Sequence, residues 1–201
     1  MVNRKYIGII GIQGAISEHV FSMKNTIKEL KFDGEIVVVK DPIQIKDIDA
    51  LIIPGGESTT ISNILYKSGL YEEILKKIKD NYLPIMGTCA GCVILASKLF
   101  DNSNDVKLLS VMNMEVKRNA FGRQRDSFEY NINIKGFSEP YNAIFIRAPI
   151  IEEVWGDCKI LAKIEDKIVM AKQDKFLAIS FHPELVNDNR IQRYFLDMIE
   201  K

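Results

Sequence analysis

The sequence predicts an α/β protein with three layers, α/β/α, in which helices cover both faces of a mixed, mostly parallel central sheet. In the first half of the chain, short apolar segments alternate with stretches of helical periodicity, which is typical of a parallel sheet covered on both sides. In the second half, shorter apolar segments follow one another closely, which indicates that part of the sheet is antiparallel. With 201 residues, 47% of them hydrophobic, the chain is long enough for one sizeable core and too short for two.

Four buried strands with helices between them account for the first half of the chain. After Gly14, apolar residues recur at helical spacing, which predicts an amphipathic helix that packs on the first strand. The segment between the third and fourth strands also has helical periodicity. The predicted strands cover residues 6–12, 35–40, 50–53 and 83–86, and the apolar stripe of the first helix consists of Ile16, Val20, Met23, Ile27 and Leu30.

The second half begins with a helix-like run over 93–99 and continues as shorter segments beyond residue 108. A closing helix over 190–199 is expected to bury Ile191, Phe195 and Met198. No repeat, low-complexity tract or linker interrupts the chain, so residues 1–201 are predicted to form a single domain. The shorter strand-like segments are 114–117, 143–146, 159–162, 168–171 and 176–180.

The charge and cysteine content argue against several classes of protein. Lysine plus arginine equal aspartate plus glutamate at 27 each, so there is no basic field to bind nucleic acid. No apolar run approaches the roughly 20 residues of a membrane span, and the first residues lead directly into a strand without a cleavage-type region. Three cysteines, an odd number, argue against a disulfide framework and for a reducing compartment. We therefore expect a cytoplasmic enzyme whose partner is a small molecule or another protein.

A candidate nucleophile, Cys89, follows the fourth strand in a Gly-x-Cys-x-Gly sequence. A residue in the tight, strained turn between a strand and a helix needs small neighbours, and Gly87, Ala90 and Gly91 supply them. The turn also places Cys89 at a helix N-terminus, where free backbone N–H groups and the helix dipole favour a thiolate and can bind an oxyanion. A buried structural cysteine is the ordinary alternative, and the elbow sequence favours the nucleophile.

His182 is the candidate base, because the chain contains only two histidines. It follows an apolar strand, and open α/β sheets carry their sites at the carboxyl ends of strands. If the chain stays extended through Pro183, Glu184 points to the same side as His182 and can fix its tautomer. The other histidine, His19, lies beside the apolar stripe of the first helix and is interpreted as a boundary or partner-facing residue rather than a catalyst.

Two glycines, Gly55 and Gly56, follow the third strand and allow backbone N–H groups to approach a ligand closely. A phosphate cradle is not predicted there, because no Gly-Lys-Ser/Thr sequence follows. A dinucleotide site is not predicted at Gly8, Gly11 and Gly14 either, because the fingerprint requires the spacing Gly-x-Gly-x-x-Gly.

Cys89 and Cys92 match Cys-x-x-Cys, a spacing that can indicate thiol redox chemistry. Redox motifs rarely occur together with an elbow and a distant His-x-Glu, so Cys92 is interpreted as a small helix residue packed under the turn. No second pair of cysteines or histidines lies at metal-ligand spacing. We therefore predict no metal site and no cofactor.

Arginines mark a further candidate region. The segment 118–128 combines three of them with glycine and aromatic residues, and a solvated loop, a carboxylate-binding loop and a subunit contact are all compatible with this composition. Arg147 ends an apolar strand, where a charge is costly unless it has a partner. The three arginines of the segment are Arg118, Arg123 and Arg125.

These motifs, in this order, resemble the class I (triad) glutamine amidotransferases. Further blocks narrow the resemblance to the glutaminase subunits of glutamine-dependent pyridoxal 5'-phosphate synthase, and together they span nearly the whole chain. The elbow and His-Pro-Glu mark only the superfamily, whereas Arg-Asn-x-Phe-Gly-Arg-Gln and Phe-Ile-Arg-Ala-Pro are specific to the subfamily. The resemblance implies a flavodoxin-like α/β/α fold, and Cys92 departs from it where an aliphatic residue is expected. The matching blocks lie at 13–15, 54–59, 87–91, 118–124, 145–149 and 181–184.

The resemblance implies a role for each motif residue. Cys89 would attack the side-chain carboxamide of L-glutamine, His182 would take and return the proton, and Glu184 would orient His182. The backbone N–H groups of Gly56 and Ala90 would hold the oxyanion, and a thioester would form before water releases glutamate. The residues implied to line the glutamine site are Gly56, Glu57, Ser58, Arg118, Ile146 and Arg147.

The resemblance also implies a partner. Ammonia would pass to a separate (β/α)-barrel synthase subunit in a hetero-oligomeric complex, and Gln13 with the neighbouring helix would face that subunit. Pyridoxal 5'-phosphate would be a product of the complex and not a cofactor of this chain, which is too short for a barrel of about 250 residues. The glutaminase is expected to be nearly idle alone, because its oxyanion turn settles on docking. Three alternatives stay open: a glutaminase for another synthase, such as one of purine or histidine biosynthesis, a binding module without turnover, and a hydrolase of peptides or esters.

Overall fold

The computed structural model describes residues 4–80, 82–121 and 127–199. The strands are β1 (Lys5–Ile10), β2 (Gly34–Val39), β3 (Ala50–Ile53), β4 (Ile85–Thr88), β5 (Ala96–Leu99), β6 (Met112–Lys117), β7 (Ser127–Ile132), β8 (Tyr141–Ile146), β9 (Ile150–Val154), β10 (Lys159–Ile164), β11 (Lys167–Gln173) and β12 (Phe176–Ile179). The α-helices are α1 (Ile16–Leu30), α2 (Ser58–Lys67), α3 (Leu70–Asp80), α4 (Ala90–Leu95) and α5 (Arg190–Ile199). Two 3-10 helices cover Pro42–Asp47 and Pro183–Leu185.

One mixed sheet organises these elements, with the strand order β2-β1-β3-β4-β12-β11-β9-β6-β5 and with β10 paired to β11. The pairs from β2 across to β12 are all parallel. Beyond β12 the pairs are antiparallel, except that β5 runs parallel to β6. Strands β7 and β8 form a separate antiparallel hairpin. The predicted mixed, mostly parallel sheet is confirmed.

Helices cover both faces of the sheet. Successive residues of a strand point to opposite faces, and apolar side chains on both faces pack against helices. In β3, Ile52 packs in a cluster with Met23 of α1 and Phe195 of α5. Its neighbour Ile53 packs in the opposite cluster with Ile61 of α2, to which α3 and α4 also contribute. The β7–β8 hairpin joins the α1 and α5 side. The outcome is the predicted α/β/α arrangement.

The helix-like run 93–99 is the main difference from the predicted elements. Helix α4 ends at Leu95, and the next four residues form β5, which pairs with β6. Residues 90–96 are all buried, so this apolar run has no exposed face from which a helical period can be read. Strands β7 and β9 were not predicted, because polar residues such as Glu129, Glu152 and Glu153 interrupt their apolar pattern.

The parallel half of the sheet places the carboxyl ends of β1, β3, β4 and β12 at one edge. Loops that follow these four strands carry Gln13, Gly56, Cys89 and His182 respectively. This edge is where open α/β sheets bind their ligands. Of the helices in the described ranges, none is long and apolar enough to cross a membrane.

Candidate active site

Cys89 occupies a strained turn between β4 and α4. Its backbone angles are φ 49° and ψ −102°, a combination that residues other than glycine rarely adopt. The turn is held in place by a hydrogen bond from the Cys89 N–H to the carbonyl oxygen of Ile179, at 2.8 Å. The side chain is 8% exposed, and its Sγ lies 3.8 Å from the Ile146 carbonyl oxygen. The sulfur therefore sits at a fixed point on the edge of the sheet.

His182 follows β12, the strand that pairs with β4, and its ring lies next to Cys89. Its backbone N–H donates to the Ile144 carbonyl oxygen at 2.8 Å, which ties this loop to β8. A methyl group on Gly55 would lie 2.6 Å from His182 Cε1 and 3.2 Å from Cys89 Cβ. Glycine at position 55 is therefore needed to leave room for the imidazole beside the cysteine.

Glu184 orients His182 through a hydrogen bond in which Nδ1–H donates to Oε1 at 2.7 Å. The chain is not extended through Pro183, as the sequence analysis assumed, because Pro183–Leu185 form a 3-10 turn. The amide of Gln192 donates to the Pro183 carbonyl oxygen at 2.9 Å and secures that turn. The expected contact between the two side chains is present, but a turn rather than a strand produces it.

The charges of this pair are set by burial and by their neighbours. Burial lowers the pKa of His182, but hydrogen bonds to Cys89 and Glu184 outweigh it and raise the pKa to about 10. Burial raises the pKa of Glu184, but the imidazoles of His19 and His182 overcome it and hold this pKa below its usual value. At neutral pH the pair is an imidazolium and a carboxylate. An imidazolium beside a cysteine can give a proton to a leaving nitrogen.

The other two cysteines are chemically inert. Burial raises the pKa of Cys92 far above its usual range and that of Cys158 to about 11. Both thiols therefore stay protonated at neutral pH. Across the described ranges, no group of three or more histidine, cysteine, aspartate or glutamate side chains is placed to hold a metal ion.

A cavity of about 820 Å³ opens over Cys89 and His182. Every residue that the sequence analysis assigned to the glutamine site lines it, whereas Glu184 lies behind His182. Four further lining residues were not assigned to the site from the sequence. Asn119, Phe121 and Pro149 lie in the blocks at 118–124 and 145–149, and Val93 lies in none of the blocks.

The two residues predicted to bind the oxyanion through their backbone N–H groups, Gly56 and Ala90, both line the cavity. The Gly55 carbonyl oxygen accepts from the Ala15 N–H at 3.1 Å. Because the peptide is trans, the Gly56 N–H points the opposite way, away from α1. Ala90 begins α4, so its N–H has no partner within the helix.

Gln13 faces the cavity and holds the same turn. Its amide oxygen Oε1 accepts from the Glu57 N–H at 3.0 Å, and the residue lines the cavity wall. A contact between Gln13 and a partner subunit stays a prediction.

The two arginines at the cavity differ in whether they form ion pairs with other side chains of the described residues. Arg118 pairs with Asp101 at 3.0 Å and with Asp105 at 3.1 Å. Arg147, at φ 44°, is exposed and forms no ion pair with another residue of the described ranges. Arg147 is therefore the better candidate to bind a carboxylate. The predicted contributions of Arg123 and Arg125 lie outside the described residues.

His19, which the sequence analysis interpreted as a boundary or partner-facing residue, is fully buried. Its Nε2 lies 3.4 Å from Glu184 Oε2. The interpretation was wrong because position 19 is three residues after Ile16 and four before Met23, so it belongs to the buried face of α1. The burial of His19 could therefore have been predicted from helical spacing alone.

The sheet, the elbow cysteine and the His–Glu pair at its carboxyl edge are the features expected of a glutamine amidotransferase. The chain belongs to the SNO glutamine amidotransferase family, whose profile matches residues 9–201.

Individual relatives agree with this assignment. The chain is 46% identical over 191 residues to "Pyridoxal 5'-phosphate synthase subunit PdxT" of Pyrococcus horikoshii, with 94% of this chain and 97% of that one covered. It is 46% identical over 196 residues to the protein of the same name from Methanococcoides burtonii, with 96% and 98% covered. A crystal structure of a glutamine amidotransferase matches with a TM-score of 0.86 at 36% identity, covering 97% and 99% of the two chains. The family inferred from the motifs is confirmed.

Replacing Glu184 by glutamine is expected to lower kcat for glutamine hydrolysis by roughly 10²- to 10⁴-fold, because the amide can present its NH2 group to Nδ1 and hold the His182 ring in the wrong tautomer. The amide also removes the negative charge that keeps His182 protonated, so the pKa of His182 falls. The alkaline limb of the pH–rate profile should then move to lower pH. Steady-state kinetics across the pH range measure both effects. Glu165→Gln, in an exposed turn, is the control, and an unshifted alkaline limb would contradict the assignment.

Replacing Gly14 by alanine is expected to disrupt glutamine hydrolysis. Gly14 has φ +107°, and a Cβ there would overlap the Gly55 carbonyl oxygen, so the turn that carries Gly56 must move. Gly136→Ala is the matched control, because Gly136 has φ +94° but no atom within 4 Å of the added carbon. It should show only backbone strain of about 1–2 kcal/mol. Thermal unfolding and hydrolysis rates compare the two, and equal hydrolysis rates would refute the role of the turn.

Proposed function

We propose that this chain is the glutaminase subunit of a pyridoxal 5'-phosphate synthase. It hydrolyses L-glutamine to L-glutamate and ammonia and delivers the ammonia to the subunit that makes pyridoxal 5'-phosphate. The hydrogen bond between His182 and Glu184, beside Cys89 and at the floor of a cavity, is the observation that carries the proposal. Relatives that align over more than 90% of both chains bear the name of that synthase subunit.

The reaction follows from the placement of these groups. The thiolate of Cys89 attacks the side-chain carboxamide carbon of glutamine, and the carbonyl oxygen becomes negative. The N–H groups of Gly56 and Ala90 donate to that oxygen. His182 gives its proton to the leaving nitrogen, so ammonia departs and a γ-glutamyl thioester remains. A water molecule, deprotonated by His182, then releases glutamate and restores the thiolate, while Glu184 keeps the ring in orientation.

The charged groups of glutamine have candidate partners in the cavity. Arg147 suits the α-carboxylate, because it has no competing ion pair within the described ranges. Glu57 suits the α-ammonium group. Burial raises the pKa of Glu57, but hydrogen bonds from two N–H groups of α2 outweigh it and lower the pKa, so the side chain stays negative. Ser58, Ile146 and Arg118 complete the walls of the site.

The partner we propose is a (β/α)-barrel synthase subunit that docks over Gln13 and α1 in a hetero-oligomeric complex. The hydrogen bond between Ala15 and Gly55 supports this placement, because it joins the start of α1 to the oxyanion turn. Phe21, on the same helix, is 69% exposed and offers an apolar contact. A subunit seated on this helix would act on the turn, in keeping with a glutaminase that is nearly idle alone.

We also propose a cellular location and a domain organisation for this chain. We place the enzyme in the cytoplasm, where a reducing environment keeps its free cysteines as thiols. We also treat residues 1–201 as one glutamine amidotransferase domain, because a single sheet joins β1 near the start to β12 near the end.

Cys89→Ala in the complex of this chain and its synthase subunit should abolish pyridoxal phosphate formation from glutamine. Formation from added ammonium should continue at the wild-type rate, because only the nucleophile is lost. The absorbance of pyridoxal phosphate, recorded with either nitrogen source, measures both rates. Cys158→Ala, which alters another buried cysteine, is the control. Undiminished synthesis from glutamine by Cys89→Ala would overturn the proposed function.

Arg147→Ala is expected to raise KM for glutamine by about 10- to 100-fold with a smaller effect on kcat, because it removes a charged hydrogen bond to the substrate. Initial-rate kinetics of the complex measure the two constants separately. Arg193→Ala, on the exposed face of α5, is the matched control. An unchanged KM would remove Arg147 from the glutamine site.

A further inference from the structure

A fully buried histidine lies behind the proposed catalytic residues and has no part in the chemistry described above. His19, on α1, is 0% exposed. Its Nε2 is 2.9 Å from Thr88 Oγ1 and 3.4 Å from Glu184 Oε2. It therefore contacts both the residue that precedes Cys89 and the residue that orients His182.

The proton of His19 can be assigned from its surroundings. Burial lowers the pKa of His19, and the nearby carboxylate of Glu184 only partly offsets this, so the ring is neutral and carries one N–H. Nδ1 has no hydrogen-bond partner in the described part of the chain. A proton on Nδ1 would be a buried donor without an acceptor and would turn the Nε2 lone pair toward a carboxylate. The proton therefore lies on Nε2, which donates to Thr88 Oγ1.

The carboxylate of Glu184 has one oxygen left for this contact. Oε1 accepts from His182, whereas Oε2 is buried and has no hydrogen-bond partner among the described residues. The N–H of His19 faces Oε2 at 3.4 Å, an electrostatic contact rather than a full hydrogen bond. Without it, Oε2 would be an uncompensated negative atom in the core, and the carboxylate would be free to turn away from His182.

We propose that His19 is a positioning residue for glutamine hydrolysis, an inference that rests on the proposed function. Its Nε2–H fixes the Thr88 hydroxyl and the Glu184 carboxylate relative to each other. The nucleophile that follows Thr88 and the base that Glu184 orients thereby keep their alignment. His19 neither touches the substrate nor exchanges a proton with it. A residue that only filled space would need the volume of the ring and not its N–H.

Two amide variants separate these roles. In His19→Gln the amide nitrogen replaces Nε2, whereas in His19→Asn it replaces Nδ1. In the complete synthase complex, His19→Gln should keep kcat for glutamine within about threefold of wild type. His19→Asn and His19→Leu should lower kcat by about tenfold or more, with KM changed less than about twofold. Equal kcat values for all three variants would overturn the proposal.

Substitutions of Thr88 test the hydrogen bond between His19 and Thr88 through its acceptor. They test the positioning role even if His19→Asn does not fold. Thr88→Val removes the hydroxyl at constant volume, and Thr88→Ser retains it. Thr26→Val is the matched control, because Thr26 is a fully buried residue of α1 whose hydroxyl donates to the Ser22 carbonyl oxygen. We expect kcat to fall for Thr88→Val and to stay near wild type for Thr88→Ser and Thr26→Val. Equal kcat values for the two valine variants would contradict the inference.

Alkylation of Cys89 by iodoacetamide separates failure of this inference from failure of the proposed function. The rate, read by mass spectrometry of the Cys89 peptide, requires neither glutamine nor a synthase subunit. His19→Asn and Thr88→Val should be alkylated about tenfold more slowly than His19→Gln, because the sulfur of Cys89 loses the aligned imidazolium that favours its thiolate form. If the wild-type complex does not hydrolyse glutamine, the proposed function fails while these rates still decide the role of His19. If the wild-type complex does hydrolyse glutamine, and all variants match it in kcat and in the rate of Cys89 alkylation, the positioning role fails.

Discussion

The parallel pairing of β4 with β12 is the constraint on which the site depends. Thr88 lies opposite Ile179, and the Cys89 N–H continues the ladder by donating to the Ile179 carbonyl oxygen. The two strands therefore end together, and His182 follows only a few residues later. Cys89 and His182 are far apart in the sequence, and they meet because the hydrogen-bonded register of β4 and β12 aligns the ends of these two strands. A slip of one residue would turn the side chains of β12 to the opposite faces of the sheet.

The site buries the carboxylate of Glu184, and the elements around it supply the groups that compensate its charge. The Glu184 side chain has no exposed surface, and a buried charge is strongly destabilising unless nearby groups compensate it. Compensation comes from two imidazoles, one carried by α1 and one by the loop after β12. The 3-10 turn that bears Glu184 is in turn anchored to α5 through Gln192. Helices on the α1 and α5 side of the sheet thus support the chemistry as well as the core.

The sequence was sufficient to predict the chemical groups of the site, but not the turns and contacts that hold them in place. Cys89, His182 and Glu184 could be found because each lies in a short local motif, and the alternation of strands and helices predicted that strand ends would bring the motifs together. The 3-10 turn at Pro183 could not be found, because an extended chain and a tight turn both satisfy the same tripeptide. The pairing of Arg118 with Asp101 and Asp105 depends on how a loop folds back, which local patterns do not encode. His19 is different, since its helical spacing marked it as buried, and only its neighbour Glu184 required the tertiary fold.

The protonated state of Cys92 and Cys158 has a consequence for how such an enzyme fails under oxidative stress. Of the three cysteine sulfur atoms, only that of Cys89 opens onto the cavity, so a thiol-directed oxidant or electrophile would strike the one atom needed for turnover. Damage would stop the supply of nitrogen from glutamine and leave the scaffold intact. A partner able to draw on free ammonium would continue to work, so the vulnerability of the assembly would depend on the ammonium content of its surroundings.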